Sequence, residues 1–244
     1  MLPIQGGKAI SDEDFHMQGD NELNGHPCDN ISSKNAQYNE MTAVYWAWKN
    51  IKKLYPDVKY VGLCHYRRLF AFHERRFFST YINATESAIH SYRADAEKVR
   101  EILESGRVIF SKRAIFTYPV CIQYSVCHSS LDYRILREVI KEKFPDYYEA
   151  FIDSMENSNK FLLCNMFIMK YDDFAKYCEW HFAVMAELEK RIDYSSYPPY
   201  QKRIFAFIAE RLMNVYMTKH NVKPKYLNVY FYGGKGEQEG RKQW

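Results

Sequence analysis

The chain has 244 residues, 47% of them apolar and 17% aromatic, enough to fill a packed interior and too much for a disordered chain. Its 34 basic and 30 acidic residues leave a formal charge of +4, too small a bias to mark a nucleic-acid binder. No apolar run reaches the roughly 18 residues of a spanning helix, and the N-terminus lacks the charged-then-apolar pattern of a signal peptide. Six cysteines without any C-x-x-C pair read as reduced thiols of a cytosolic protein.

Residues 1–35 are rich in Gly, Asp, Asn and Ser and show no sustained period, which predicts a long loop of the kind that carries function. From Asn35 a helical period begins: Glu40, Ala43, Val44, Ala47 and Ile51 share one face, and Thr42, Lys49, Lys52 and Lys53 the other. Tyr55-Pro56-Asp57 breaks this helix, and a strand over Lys59–Cys64 follows, ending in His65-Tyr66-Arg67-Arg68. Further on, the pattern predicts a helix over Asp95–Glu104 with Gly106 as its cap, a strand over Val108–Ser111, and a less regular stretch from Phe116 to Ser130. Helices are expected over Leu131–Lys143, stopped by Pro145, and over Tyr147–Glu156. Phe161–Met169 reads as one continuous strand buried on both faces, with Asn165 its one polar interruption. Two long helices, Asp172–Ile192 and Gln201–His220, precede a loose polar tail. With no repeat and no linker, the expectation is a single α/β domain over residues 1–232 and a tail over 233–244.

Open α/β sheets bind ligands beyond the carboxyl ends of their strands, which is where His65, Tyr66, Arg67 and Arg68 fall. Two adjacent guanidinium groups offer forked donors suited to a diphosphate, although surface ion pairs would use the same residues. Glu40 lies on the inward face of its helix and in the first turn, so it either complements the helix dipole or reaches a ligand. On the apolar helix from Gln201, the residues Arg203, Glu210 and Asn214 align in one stripe. That stripe lines a cleft or, with Arg211 and Thr218 at its margin, forms a plain solvent face. Asn165 must find a partner if buried, because an unmatched amide costs about 1–3 kcal/mol. The chain has no Gly-rich phosphate loop, no G-x-S-x-G elbow, no H-E-x-x-H and no Asp-x-Asp at a strand end, which argues against P-loop and serine-hydrolase chemistry.

Several ordered segments together resemble a known group: LPIQGGKAIS, GDN, NEMTAVYWAWKN, YVGLCHYRRLF, REVIKEKFPDY, CNMFIMKYDDFAKYCEW and QKRIFAFIAERLMNVY. They resemble the bacterial capsule and exopolysaccharide glycosyltransferase family, long catalogued as a domain of unknown function, which includes galactofuranosyltransferase domains of polysaccharide polymerases. The resemblance runs from Leu2 to Asn221 and implies a GT-A-like nucleotide-sugar fold with a mostly parallel central sheet flanked by helices. In such folds an Asp-x-Asp holds a metal on the donor diphosphate. Here the His65–Arg68 tetrad stands at that place, which implies diphosphate binding by cations, with no metal and no cofactor.

The implied reaction moves a hexose, with galactofuranose the foremost candidate, from a UDP-sugar to a lipid-linked capsule or exopolysaccharide glycan. The implied location is cytoplasmic, either free or peripheral at the inner face of the plasma membrane, with no nucleic-acid partner. If the anomeric centre inverts, Glu210 is the first candidate base, followed by Glu40 and Asp20. Asn165, Arg203 and His128 are the implied sugar- or acceptor-binding residues, and Asn30 and Asn35 belong to the nucleotide loop. Family members carry a further strand ahead of Leu2-Pro3-Ile4-Gln5, so the expectation is a fold lacking its first strand. Two rival readings are a non-catalytic carbohydrate-binding remnant of such an enzyme, and a single-strand nucleic-acid binder resting on the basic aromatic run from Leu69 to Phe78.

Overall fold

The computed structural model describes residues 1–77 and 79–233; the expected tail, from residue 234 onward, lies outside the described residues. The helical period after Asn35 folds as two helices rather than one. Asn35–Tyr38 makes a single turn, Asn39 leaves helical space at φ 47° and ψ −128°, and Met41–Leu54 resumes with Glu40 at its N-cap position. Asp95 caps the helix Ala96–Glu104 by accepting from Lys98 N at 2.9 Å, and Gly106 supplies the left-handed φ of 76° that follows it. Ser129 caps Ser130–Lys143 in the same way, through Asp132 N. The long C-terminal helices are Tyr171–Glu189 and Ile204–Lys219.

A six-stranded sheet runs in the order Tyr60–Leu63, Phe167–Lys170, Val108–Ser111, Pro224–Phe231, Arg68–Ala71, with Tyr81–Asn83 also beside Pro224–Phe231. Phe167–Lys170 is antiparallel to both neighbours. Pro224–Phe231 is parallel to Val108–Ser111 and Tyr81–Asn83 but antiparallel to Arg68–Ala71. The sheet is therefore mixed, which corrects the expectation of a mostly parallel one. One of the chain reversals lies at His65–Arg68, where His65 N donates to Arg68 O at 3.1 Å and Arg68 N to His65 O at 3.0 Å. A turn this tight reverses the chain without a crossover helix. It also joins the strands at the two ends of the order, so the sheet curls until those ends meet at the turn.

Three further expectations are corrected. The run Phe161–Met169 is not one strand: Lys160–Phe161 pairs with Ala114–Ile115, and Phe167–Lys170 joins the main sheet. Between them Cys164 and Asn165 take φ values of 70° and 50°, a conformation that no strand accommodates. The strands Arg68–Ala71, Tyr81–Asn83 and Pro224–Phe231 were not expected, and the stretch Phe116–Ser130 contains the helix Val120–Cys127. The N-terminal loop is ordered by Asp20, a fully buried carboxylate that accepts from Gly7 N at 2.9 Å, Lys8 N at 3.1 Å and Ser32 Oγ. Gly7 is required there, since at φ 72° a Cβ would lie 2.7 Å from the Asn35 side chain.

The strand period of two sorts side chains between two cores. Phe110, Phe167 and Met169 enter the larger one, with the helices Met41–Leu54, Tyr171–Glu189 and Ile204–Lys219. Ile109, Ile168 and Val229 enter the smaller one, under Val99, Ile102 and Leu103 of the helix Ala96–Glu104. Gly62, opposite Ile168, lets these strands close up, since a Cβ would lie 2.8 Å from Ile168 Cγ1 and 3.0 Å from Phe167 O. All six cysteines are free, with Cys178 fully buried.

Candidate functional site

The polar side chains that interrupt apolar runs converge where the curled sheet meets itself. The loop between the two short strands of 160–170 is held from several directions at Cys164 and Asn165. His65 Nε2 donates to Cys164 O at 2.6 Å, which places the imidazole proton on Nε2. Cys164 N donates to Glu210 Oε1 at 2.8 Å, and Asn165 Nδ2 donates to Glu40 Oε1 at 2.8 Å. Successive residues of one loop thus each grip a carboxylate, one from the middle of the helix Ile204–Lys219 and one from the start of Met41–Leu54. Three non-glycine residues with positive φ, namely Asn39, Cys164 and Asn165, flank these two carboxylates. Strained backbone of this kind costs of order 1–3 kcal/mol per residue and concentrates at functional sites.

Charge is arranged around the pair. The Glu210 side chain is 21% exposed, and its second oxygen accepts from Arg211 Nη1 at 3.1 Å. Burial pushes the Glu210 carboxyl above its ordinary pKa and the nearby Glu40 charge adds to the rise, while Arg211, the Cys164 N–H and Arg68 oppose it. Arg68 is half-buried with its guanidinium beside Cys164, Tyr81 and Glu210. Tyr81 Oη lies 3.5 Å from Cys164 Sγ, and burial, with the neighbouring Glu210, pushes the Cys164 thiol up to about 11. Asn165 is only 4% exposed, yet its Oδ1 has no hydrogen-bond partner among the described residues, and neither has the buried Nε of Arg68. Each such atom costs about 1–3 kcal/mol, a cost that a bound polar molecule removes.

The remaining predicted residues fall in distinct places. In the His65–Arg68 turn Arg68 lies beside Glu210, Tyr66 is 79% exposed, and the Arg67 guanidinium lies 4.9 Å from the Tyr66 ring. Arg203 is exposed and reaches the helix break: with its amide oxygen facing Arg203, Asn39 accepts from Nε and Nη2 at 2.5 and 2.6 Å. His128 stacks on Phe207 at 3.9 Å, and Phe207 also carries the Arg203 guanidinium at 5.6 Å, so His128 borders the Arg203 side of the site. Burial, with Arg211 nearby, lowers the His128 pKa to about 4, which keeps it neutral at neutral pH. Asn35 Nδ2 donates to Asn39 O at 2.8 Å and Thr42 Oγ1 at 2.9 Å, bracing the break. Asn30 bonds within its own loop, to Cys28 O and Ser32 N, and Asp20 spends its oxygens on the N-terminal loop. Among the described residues no three His, Cys, Asp or Glu side chains are grouped as a metal ion requires.

Sequence reasoning missed Arg211, Asn39 and Tyr81. Arg211, set at the margin of a stripe, is 2% exposed and held at both terminal nitrogens: Nη1 donates to Phe207 O at 2.9 Å and Nη2 to Gln123 Oε1 at 2.7 Å, while its buried Nε has no hydrogen-bond partner among the described residues. Its guanidinium lies 5.0 and 4.5 Å from the rings of Tyr124 and Phe161. The signal available was the apolar character of its helix all round, which leaves no solvent face for a charge to occupy.

A mixed α/β domain in which one loop gathers two helix-borne carboxylates beside a guanidinium from the start of a strand is thus the class that fold and site define. The family model described as a domain of unknown function, DUF4422, matches residues 1–221, and the chain belongs to that family. No curated protein matches the chain. Among solved structures, the apo structure of the WbbM bifunctional glycosyltransferase is similar, with 27% identity and a TM-score of 0.78. The similarity covers 96% of this chain but only 42% of that one.

Proposed function

We propose that this chain is a glycosyltransferase that moves a hexose from a UDP-sugar to a hydroxyl of a glycan, without a metal ion. The observation that supports it most is the loop at Cys164–Asn165, which sets two carboxylates beside an inward guanidinium and leaves one acceptor and one donor atom unmatched. The similarity to part of a bifunctional glycosyltransferase agrees with this reading. Galactofuranose as the sugar and a lipid-linked capsule or exopolysaccharide glycan at the cytoplasmic face of the membrane complete the proposal.

In the inverting form of the reaction, the acceptor oxygen bonds to the anomeric carbon as that carbon's bond to the UDP oxygen breaks. The electron pair leaves with UDP, and the hydroxyl proton passes to a carboxylate. Glu210 is the base, because its raised pKa strengthens its hold on a proton. Arg68, with Arg67 behind it in the turn, meets the charge that develops on the departing diphosphate. Asn165 Oδ1 and Glu40 face sugar hydroxyls as acceptors, and Arg203 and His128 border the acceptor side.

Calorimetric titration with UDP in the presence of EDTA tests this. Binding should persist on chelation and weaken at least about tenfold in Arg68→Ala, since a charge-assisted hydrogen bond contributes about 1.5–3 kcal/mol. Binding that vanishes with EDTA removes the metal-free mechanism, and no binding under either condition removes the nucleotide-sugar reading.

A further inference from the structure

We infer that the face formed by the helix Val120–Cys127 and its flanks seats on an anionic lipid surface. The helix reads VCIQYSVC and carries no charged side chain. Val120 and Tyr124 turn into the core, while Ile122 and Val126, four residues apart, are 48% and 70% exposed. Apolar side chains exposed together on one helix face are ordinarily covered by a partner surface. Exposed apolar side chains flank the helix in the chain on both sides, Tyr118 just before it and Leu131 at the start of the helix that follows. No described helix is long and apolar enough to cross a membrane, so the contact is one of surface seating.

Charge complementarity selects the occupant. Ile115 is exposed, and in the short antiparallel pair it lies directly opposite Lys160, with Arg113 two residues before it. Arg134 stands three residues after Leu131, on the same side of its helix. All three cations are exposed, and the sequence from Arg113 to Leu131 contains no acidic residue. Of the acids nearby, Asp132 is buried, Glu138 and Glu156 are both paired with Arg137, and the exposed Asp153 accepts from Asn157 Nδ2 at 3.3 Å. An apolar face flanked by cations, with an amphipathic tyrosine at its margin, matches the boundary between acyl chains and anionic headgroups. The face adjoins the candidate site, because Gln201 Nε2 donates to Cys127 O at 2.9 Å, and Gln201 opens the turn that carries Arg203. A membrane-borne acceptor would therefore enter on the side of His128 and Arg203.

Vesicle co-sedimentation tests the inference independently of the transferase reading. Phosphatidylcholine vesicles with and without phosphatidylglycerol are mixed with the wild-type chain and with the double variant Ile122→Asp, Val126→Asp. The wild type should sediment with the phosphatidylglycerol vesicles and be released by salt, and the double variant should bind at least about tenfold more weakly. Circular dichroism and UDP titration should be unchanged in that variant, since both side chains are exposed. A wild type that stays in the supernatant, or a double variant that binds equally well, overturns the inference. So does a wild-type dimer that the variant converts to monomers without any lipid binding, because a second copy would then own the face.

Discussion

Replacing Glu210 by glutamine separates chemistry from binding more cleanly than any other change at the site. The substitution keeps the size of the side chain and one carbonyl oxygen for Cys164 N, but removes the charge and the ability to take a proton. Loss of a general base lowers turnover by about 10²–10⁴-fold, which raises the barrier by roughly 3–5 kcal/mol. Stability falls as well, because Arg211 is left buried with a neutral partner. With about one-fifth of the Glu210 side chain exposed, that loss belongs near the bottom of the roughly 3–5 kcal/mol range for broken buried pairs. A loss of about 3 kcal/mol lowers the melting temperature by about 6–12 °C in a chain of this size. In the proposed reaction Glu210 serves the acceptor rather than the diphosphate, so UDP affinity should stay within about threefold, or under 0.7 kcal/mol. Thermal melting, UDP calorimetry and a UDP-release assay run well below the melting range report the three quantities. A Glu210→Gln chain that is folded and binds UDP, yet keeps more than about a tenth of wild-type turnover, refutes the assignment of the base.

The direction of the Glu210 shift fixes the sign of the pH dependence. A base works only when ionised, so turnover should fall as the pH drops through its raised pKa, on a limb lying above the ordinary glutamate value of about 4.3. Glu40→Gln removes a neighbouring negative charge and should move that limb to lower pH, and Arg211→Met should move it higher; the opposite order in a pH–rate series refutes the electrostatic account. Asp20→Ala strips partners from two backbone N–H groups and the Ser32 hydroxyl, each worth about 1–3 kcal/mol. Urea denaturation should show a loss of at least about 3 kcal/mol with turnover per folded molecule unchanged, and a collapse of turnover in folded protein would return Asp20 to the chemistry.

What could be read from the sequence depended on whether local signals decided the structure. The helix after Asp95 carries a clear period and clear ends and forms where that pattern places it, whereas the period that begins at Asn35 is interrupted at Asn39 before it resumes over Met41–Leu54. The run from Phe161 to Met169 has the composition of a buried strand, but Glu210 and Glu40 hold its middle from other elements, and asparagine tolerates the left-handed backbone that results. Arg68–Ala71 and Pro224–Phe231 alternate too weakly to announce themselves, and a proline and a pair of arginines at their starts disguise them. At the site, Glu40 on an apolar face, Asn165 in an apolar run and Glu210 on an apolar helix each stood out as anomalies. Their partnership became visible only once the loop between two short strands brought them to one place. Arg211 was harder to read because its acceptors, Gln123 and Phe207, lie on two different helices.

The strand Pro224–Phe231 holds together parts of the sheet that are made long before it. Val108–Ser111 pairs with its first half, and Arg68–Ala71 and Tyr81–Asn83 flank its second. During synthesis, those three segments leave the ribosome more than a hundred residues ahead of the backbone that satisfies them. For that interval their edges are open to pairing with another chain. The nascent protein therefore stays exposed to such pairing until Pro224–Phe231 emerges to close those edges.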